Sequence, residues 1–269
     1  MTCQDKQHTI PKPVVLCFSG HDPTGGAGIQ ADIETIGSLG CHAATIITCL
    51  TAQDTRNVAA LMPQTVKDFT RQTELLIADL PIAAIKIGLL GSAEIALACA
   101  SFIRQLMPRP VVLDPILAAG GGTDLSSANL LDTLRRTLLP LVTVATPNSP
   151  EARRLAGQND LDACARWILA TGCGHVLITG THETELRVTN RLYGVDDQSA
   201  QTWERLPHSY HGSGCTLAAA IAAGLAKGLS VRAAVETAQR FTWQSLEAAQ
   251  APGKGQSLPD RFSPYRSSR

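Results

Sequence analysis

VVLCFSGHDPTGGAGIQAD, residues 14–32, passes from an apolar run through a glycine-rich turn into a stretch of helical character. Val14–Phe18 is too short for a helix and carries no polar break, which suits a strand buried on both faces. A buried strand, a tight turn and a helix make the opening half of a β-α unit. The alternation recurs downstream. Strands are expected at Ala44–Cys49, Ile82–Ile87, Val111–Leu113, Val142–Ala145 and Val176–Thr179, each ending near Gly, Pro, Asp or Asn. Helices are expected between them, including Ala27–Leu39, Val66–Ala78, Ala93–Leu106, Ala128–Leu138 and Leu161–Ala170. The expected class is α/β, a mostly parallel sheet flanked by helices in three layers, whose ligands bind beyond the carboxyl ends of the strands.

Arg187–Leu206 breaks the rhythm and reads as a hairpin, Arg191–Val195 and Ala200–Leu206 about an Asp196-Asp197 turn. Two helices follow, Cys215–Ala226 and Val231–Ala249. Gly228 suits the end of the first and Ser230 the N-cap of the second. The stripe Val231, Ala234, Val235, Ala238, Phe241 and Leu246 is core packing. From Ala251 the chain is rich in Pro, Gly, Ser and Arg, so residues 1–12 and 251–269 are expected to be irregular tails, the latter irregular or loosely attached. With no repeat and no linker, residues 1–269 read as one domain.

Composition narrows the function. Basic and acidic side chains balance at 23 each, which gives no electrostatic case for nucleic acid or an acidic membrane surface. No apolar run approaches the roughly 18–20 residues of a membrane span, and the polar start Met1–Pro13 does not read as a signal peptide. The eight cysteines (3, 17, 41, 49, 99, 164, 173 and 215) form no CxxC pair, so disulfides and structural zinc are disfavoured and a reducing cytoplasm is expected.

Three loops can carry chemistry. Ser19–Gly28 is either a tight strand-to-helix turn or a ligand cradle, and it lacks both the P-loop lysine and a GxGxxG pattern. His211-Gly212-Ser213-Gly214-Cys215-Thr216 opens an Ala-rich helix, where successive N–H groups can converge on an anion. Cys215 at that helix start is expected to have a lowered thiol pKa; the plainer reading is a glycine turn with a buried cysteine. In Thr146-Pro147-Asn148-Ser149-Pro150-Glu151, Asn148 or Ser149 can cap a helix, while Asn148 and Glu151 can also face Mg²⁺. Asp114-Pro115, at another strand end, offers a second carboxylate. Among the histidines, His8 reads as solvated and His42, His175 and His208 as ordinary surface or strand-end residues. His21 and His211 adjoin the loops.

Taken together, the runs Ser19–Asp32, Leu50–Thr55, Lys86–Leu90, Leu113–Pro115, Thr146–Glu151 and His211–Thr216 resemble, in order and rough spacing, hydroxymethylpyrimidine and phosphomethylpyrimidine kinases of thiamine biosynthesis. The resemblance extends from residue 14 to about 245. It implies a ribokinase-like fold, ATP as co-substrate, Mg²⁺, a small aminopyrimidine substrate and a homodimer. By that resemblance Gly20, Asp32 and Gln53 would hydrogen-bond the pyrimidine and Leu89 would pack on its ring. Asp114 and Glu151 would organise Mg²⁺, while Asn148, Thr179 and His211 would lie toward ATP. Gly212, Ser213, Gly214 and Cys215 would form an anion hole, with Cys215 nearest the attacking hydroxyl as base or as positioning group. Two departures stand out. Thr179-Gly180-Thr181-His182 replaces the usual Lys-Gly-Gly-His, and Ala118–Gly122 lacks the usual Lys or Ser. Lys86 or Arg187 could compensate for the missing cation. A pyridoxal-type kinase and a pyrimidine-binding protein of low activity are the alternatives.

Overall fold

The computed structural model describes residues 11–195 and 197–266. Cys3, His8, Asp196 of the expected hairpin turn and the last three residues of the tail lie outside it.

Burial of the first strand fixes the layering. In β1 (Val14–His21), Leu16 and Phe18 face one apolar cluster while Val15 and Cys17 face another. Each side of the strand therefore needs a helical layer. One layer holds α2 (Val66–Asp79), α3 (Ala93–Leu106), α4 (Ala128–Thr133), α5 (Ser149–Ala156) and α6 (Leu161–Ala170). The other holds α1 (Gly28–Ser38), α7 (Ser213–Ala226) and α8 (Val231–Glu247). Small side chains let α7, buried on nearly every face, lie close beneath the sheet. Ser230 caps α8 by accepting from the Ala233 N–H.

Among the described residues the sheet has nine strands. Across it run β3 (Val58–Pro63), β2 (His42–Gln53), β1, β4 (Ile82–Ile87), β5 (Val111–Leu113), β6 (Val144–Ala145), β7 (His175–Ile178), β8 (Arg187–Tyr193) and β9 (Gln198–Glu204). From β2 to β7 all pairings are parallel, while β3, β8 and β9 are antiparallel additions at the two margins. The order reverses between β1 and β4, a switch point where a crevice opens at the carboxyl ends.

The sequence signals err where elements are exposed or irregular. β3 is a mostly exposed edge strand without clean alternation, and periodicity gives no sign of it. The hairpin begins earlier than expected because Arg187, Val188, Thr189 and Asn190 pair with β9, while β7 meets β8 only from Arg191 onward. The helix expected over Ala128–Leu138 is α-helical only to Thr133; a π turn spans Leu134–Leu138, and a 3₁₀ turn with Pro140 ends it. The C-terminal segment is irregular but not loosely attached. Its Gln256 N–H donates to the Thr55 carbonyl, Ser257 bridges Tyr210, and a short helix α9 (Ser263–Arg266) follows.

Candidate active site

The carboxyl ends of the parallel strands open on a cavity of about 720 Å³, a size suited to small molecules and cofactors. Its walls include Gly20 and His21 from the end of β1, Gln53 from β2, Leu89 after β4, Asp114 after β5, and Asn148 and Glu151 around the start of α5. Thr179 after β7 and the segment Leu206–Cys215 complete them. The loops singled out in the sequence thus converge.

At one end Leu89 packs with Cys49, Val58 and Leu125, forming an apolar wall behind Gly20 and Gln53. At the other lie Thr179, Thr181, His182, Val188, Trp203, Arg205 and Trp243. Trp203 stacks on Trp243 at 6.2 Å between ring centroids. Arg205 is the only Lys or Arg that lines the cavity among the described residues. It is held by the carbonyls of Thr181, Glu183 and Glu185, which fixes its guanidinium beside the Thr181–Glu185 loop. Neither expected substitute for the missing lysine reaches the walls. Lys86 is fully buried and Arg187 sits on the exposed start of β8.

Asp32 is placed apart from the other expected residues. It lies on α1 but is fully buried and absent from the cavity walls. Its two carboxylate oxygens straddle the Lys86 ammonium at 2.9 and 3.1 Å, and one also accepts from Ser19 Oγ at 2.6 Å. Burial works against the charge on Lys86, but Asp32, Cys215 and Asp114 together outweigh it and raise the lysine pKa. The pair leaves a fixed ion pair below the floor.

Asp22, which sequence reading passed over, organises the first loop instead. Its Oδ1 accepts from Thr24 N and Thr24 Oγ1, both at 2.8 Å; Oδ2 accepts from Ala27 N at 2.7 Å and meets His211 Nε2 at 2.8 Å. Burial pushes this carboxyl upward, yet hydrogen bonds from His211, Thr24 and Gln53 hold it well below the usual range. His211 therefore ties the anion-hole loop to the glycine turn. Asp22-x-Thr24, an acid two residues before a hydroxyl in a turn, was the available signal.

Gly212 precedes α7 with φ of 88°, in the left-handed region, and a Cβ there would fall 1.8 Å from the Gly26 carbonyl oxygen. Only glycine lets the two loops meet so closely. α7 has no side-chain cap, and Gly212, Ser213, Gly214 and Cys215 at its start line the cavity. The expected low thiol pKa does not hold. Burial pushes Cys215 up to about 12, and the charges of Asp114 and Asp32 add to that, against the opposing pull of Lys86.

The Asn148–Glu151 pair is both a helix cap and a site feature. Asn148 Oδ1 accepts from Glu151 N, and Glu151 Oε2 accepts from Asn148 N, each at 2.9 Å, in a reciprocal capping box. Glu151 Oε1 also accepts from Leu117 N at 3.3 Å. Asp114 stands across from it; a Cβ on Gly214 would lie 3.4 Å from Asp114 Oδ2. Burial raises Asp114 to about 6, with Lys86 pulling it down and Asp32 pushing it up. Burial and the Asp114 charge raise Glu151 to about 8. Two hard oxygen donors that repel each other beside the uncapped start of α7 fit a Mg²⁺ ion shared with phosphate oxygens. Among the described residues no group of three His, Cys, Asp or Glu side chains is placed to hold a metal ion.

Known proteins match over the same span. The sequence model of the phosphomethylpyrimidine kinase family aligns with residues 22–260. A hydroxymethylpyrimidine/phosphomethylpyrimidine kinase of Synechococcus elongatus is 38% identical over 265 residues, 94% of this chain and 98% of that protein. The thiamine biosynthesis bifunctional protein ThiED of Geobacter sulfurreducens is 35% identical over 93% of this chain, which spans about half of it (52%). Among solved structures, an ADP complex of Bacillus subtilis pyridoxal kinase superposes with a TM-score of 0.88 at 28% identity, covering 94% of this chain and 99% of that one. With the family's sequence model matched along nearly the whole sheet and its loops gathered at one cavity, the chain belongs to the phosphomethylpyrimidine kinase family.

Proposed function

We propose that this kinase transfers the γ-phosphoryl group of ATP to 4-amino-5-hydroxymethyl-2-methylpyrimidine, to its monophosphate, or to both, in thiamine biosynthesis. The observation that carries the reading is the convergence of an apolar wall, an uncapped helix start and a carboxylate pair in one cavity. The pyrimidine ring lies against Leu89 and Val58, with Gly20 and Gln53 offering polar groups to its edge. Its acceptor oxygen faces Cys215, and the transferred group rests on the N–H groups of Gly212, Ser213, Gly214 and Cys215. ATP extends from there past Asn148, Thr179 and His211 toward Arg205, whose guanidinium takes the part of the missing lysine. Asp114 and Glu151 hold Mg²⁺, which when bound supplies positive charge to the phosphate oxygens.

Because the transition state of phosphoryl transfer is loose, alignment and charge neutralisation matter more than a strong base. A buried thiol with a pKa near 12 is neutral at physiological pH. Cys215 therefore acts as a positioning donor, not as a thiolate base. Chelating Mg²⁺ should abolish ATP turnover. Cys215→Ser should stay within roughly tenfold of wild-type kcat, whereas loss of a true general base costs about 10²–10⁴-fold. The wild-type rate should show no thiolate limb between pH 6 and 9. A collapse in Cys215→Ser together with a thiol-dependent pH limb would return the base role to Cys215.

A pyridoxal kinase is the second reading, supported by the close superposition on the Bacillus subtilis enzyme. A homodimer follows from the family resemblance, and sedimentation at micromolar concentration would read it. Among the described residues no helix is long and apolar enough to cross a membrane. Seven free thiols, at Cys17, Cys41, Cys49, Cys99, Cys164, Cys173 and Cys215, support the reading of a reducing, cytoplasmic setting.

A further inference from the structure

One buried charged side chain has no part in this chemistry. Arg261 comes from the C-terminal segment, yet it is 1% exposed and heads the fully buried side chains by volume. Its Nε donates to Thr216 Oγ1 at 2.9 Å. One terminal nitrogen donates to Glu34 Oε2 at 2.9 Å and reaches the Gly25 carbonyl at 3.5 Å, and the other donates to the Gly26 carbonyl. Thr216 passes the link on, because its hydroxyl donates to the Gly212 carbonyl at 2.8 Å. A single guanidinium thus joins the glycine turn after β1 to the first turn of α7, at the point where Gly26 and Gly212 approach each other most closely.

The chain before Arg261 works in the same direction. Gly255 N donates to Thr55 Oγ1 at 3.0 Å, Gln256 Nε2 to Ser209 Oγ at 2.8 Å, and His211 N to the Ser257 carbonyl at 3.0 Å. The segment therefore crosses from the turn after β2 to the loop that leads into the anion hole. Burying an arginine is costly unless its donors are met, and this one meets acceptors on two separate loops. A lysine head is a compact point charge and cannot span them.

We infer that Arg261 is a positioning residue for phosphoryl transfer, fixing the glycine turn that borders the acceptor against the helix start that holds the transferred group. It touches neither substrate nor nucleotide. This inference rests on the phosphoryl-transfer reading of the cavity. A displacement of about 1 Å between aligned groups can cost on the order of 10²-fold in rate, so losing the link should act on kcat more than on binding.

The test measures kcat, both KM values and melting temperature for wild type, Arg261→Ala, Arg261→Lys and Thr216→Val, with Mg²⁺-ATP and hydroxymethylpyrimidine. In Arg261→Ala, kcat should fall at least about tenfold while the pyrimidine KM moves by less than about twofold. Methylguanidinium in the assay should restore part of that kcat. Arg261→Lys should remain slow and unresponsive. Thr216→Val, which leaves Arg261 in place, should lower kcat, and its combination with Arg261→Ala should be less than additive. A folded Arg261→Ala with wild-type kcat overturns the inference. So does a loss that follows melting temperature across the variants without response to methylguanidinium. If Arg261→Ala does not fold, Thr216→Val decides: unchanged kcat there overturns the link. Wild type that turns over no pyrimidine is the failure of the proposed reaction itself, and the positioning role falls with it.

Discussion

Among single residues, the acids divide by what their neighbours allow. Asp32 sits within the run most like the family's opening, so the resemblance put it on the substrate. Its partner Lys86 is remote in sequence, and only the fold shows that they are paired in the dry interior. Removing one member of such a pair leaves an uncompensated buried charge, typically at a cost of 3–5 kcal/mol. Asp32→Asn should therefore lower stability by about that amount in denaturant unfolding. Folded Asp32→Asn with near-wild-type stability and a strongly raised pyrimidine KM would put Asp32 back on the substrate.

Asp22 makes a pH-dependent contribution of known sign. Its pKa is lower folded than unfolded, so the stabilisation is present above the unfolded carboxylate value and is lost as pH falls through the folded one. Asp22→Asn should cost about 2–3 kcal/mol at pH 7, where charge-assisted bonds to Thr24, Ala27 and His211 are lost. The gap from wild type should narrow as the pH drops below about 4. Urea melts at pH 7 and pH 3 would show it, and a gap independent of pH would contradict it. Cys215 illustrates the same limit on local reasoning. A helix start lowers a thiol pKa, but burial and two nearby carboxylates win, and neither is visible beside Cys215 in the chain.

Secondary elements were legible where both faces of a strand or one face of a helix had to be buried. β1, β4, β5 and β7 carry nearly continuous apolar runs because helices cover both sides. β3 escaped because an edge strand with exposed Ala59, Ala60 and Met62 has no such constraint. The π turn at Leu134–Leu138 escaped because its apolar spacing still reads as helix. At α7 the glycine signal was sound, and the structure adds its reason: the left-handed φ and the contact with Gly26. Gly212→Ala forces the loop off the glycine turn, so kcat should drop by about 10²-fold or more with a smaller change in KM. Steady-state kinetics on the folded variant would check this; an unchanged kcat would show that the close approach is not needed for turnover.

Across the whole molecule, the reversal of strand order between β1 and β4 collects loops from distant parts of the chain at one rim. The expected rim residues Gly20, Gln53, Leu89, Asp114, Asn148, Glu151, Thr179, His211, Gly212, Ser213, Gly214 and Cys215 all line the cavity, and Asp32 does not. The firm attachment of the C-terminal segment was not legible because polar composition says nothing about a single arginine whose acceptors on Gly25, Gly26 and Glu34 lie more than two hundred residues earlier in the chain. Arg205 was missed for a related reason, since it enters the cavity only when the β8–β9 hairpin pairs onto β7.

Phosphorylation of an aminopyrimidine is the activity assigned to this cavity. Its most direct test is kcat/KM of the wild-type protein, with Mg²⁺-ATP, for hydroxymethylpyrimidine and its monophosphate against pyridoxal. ADP production is expected with at least one of the pyrimidines, at a kcat/KM roughly tenfold or more above that for pyridoxal. Pyridoxal turned over faster than both pyrimidines, or no ADP from either pyrimidine, would contradict it.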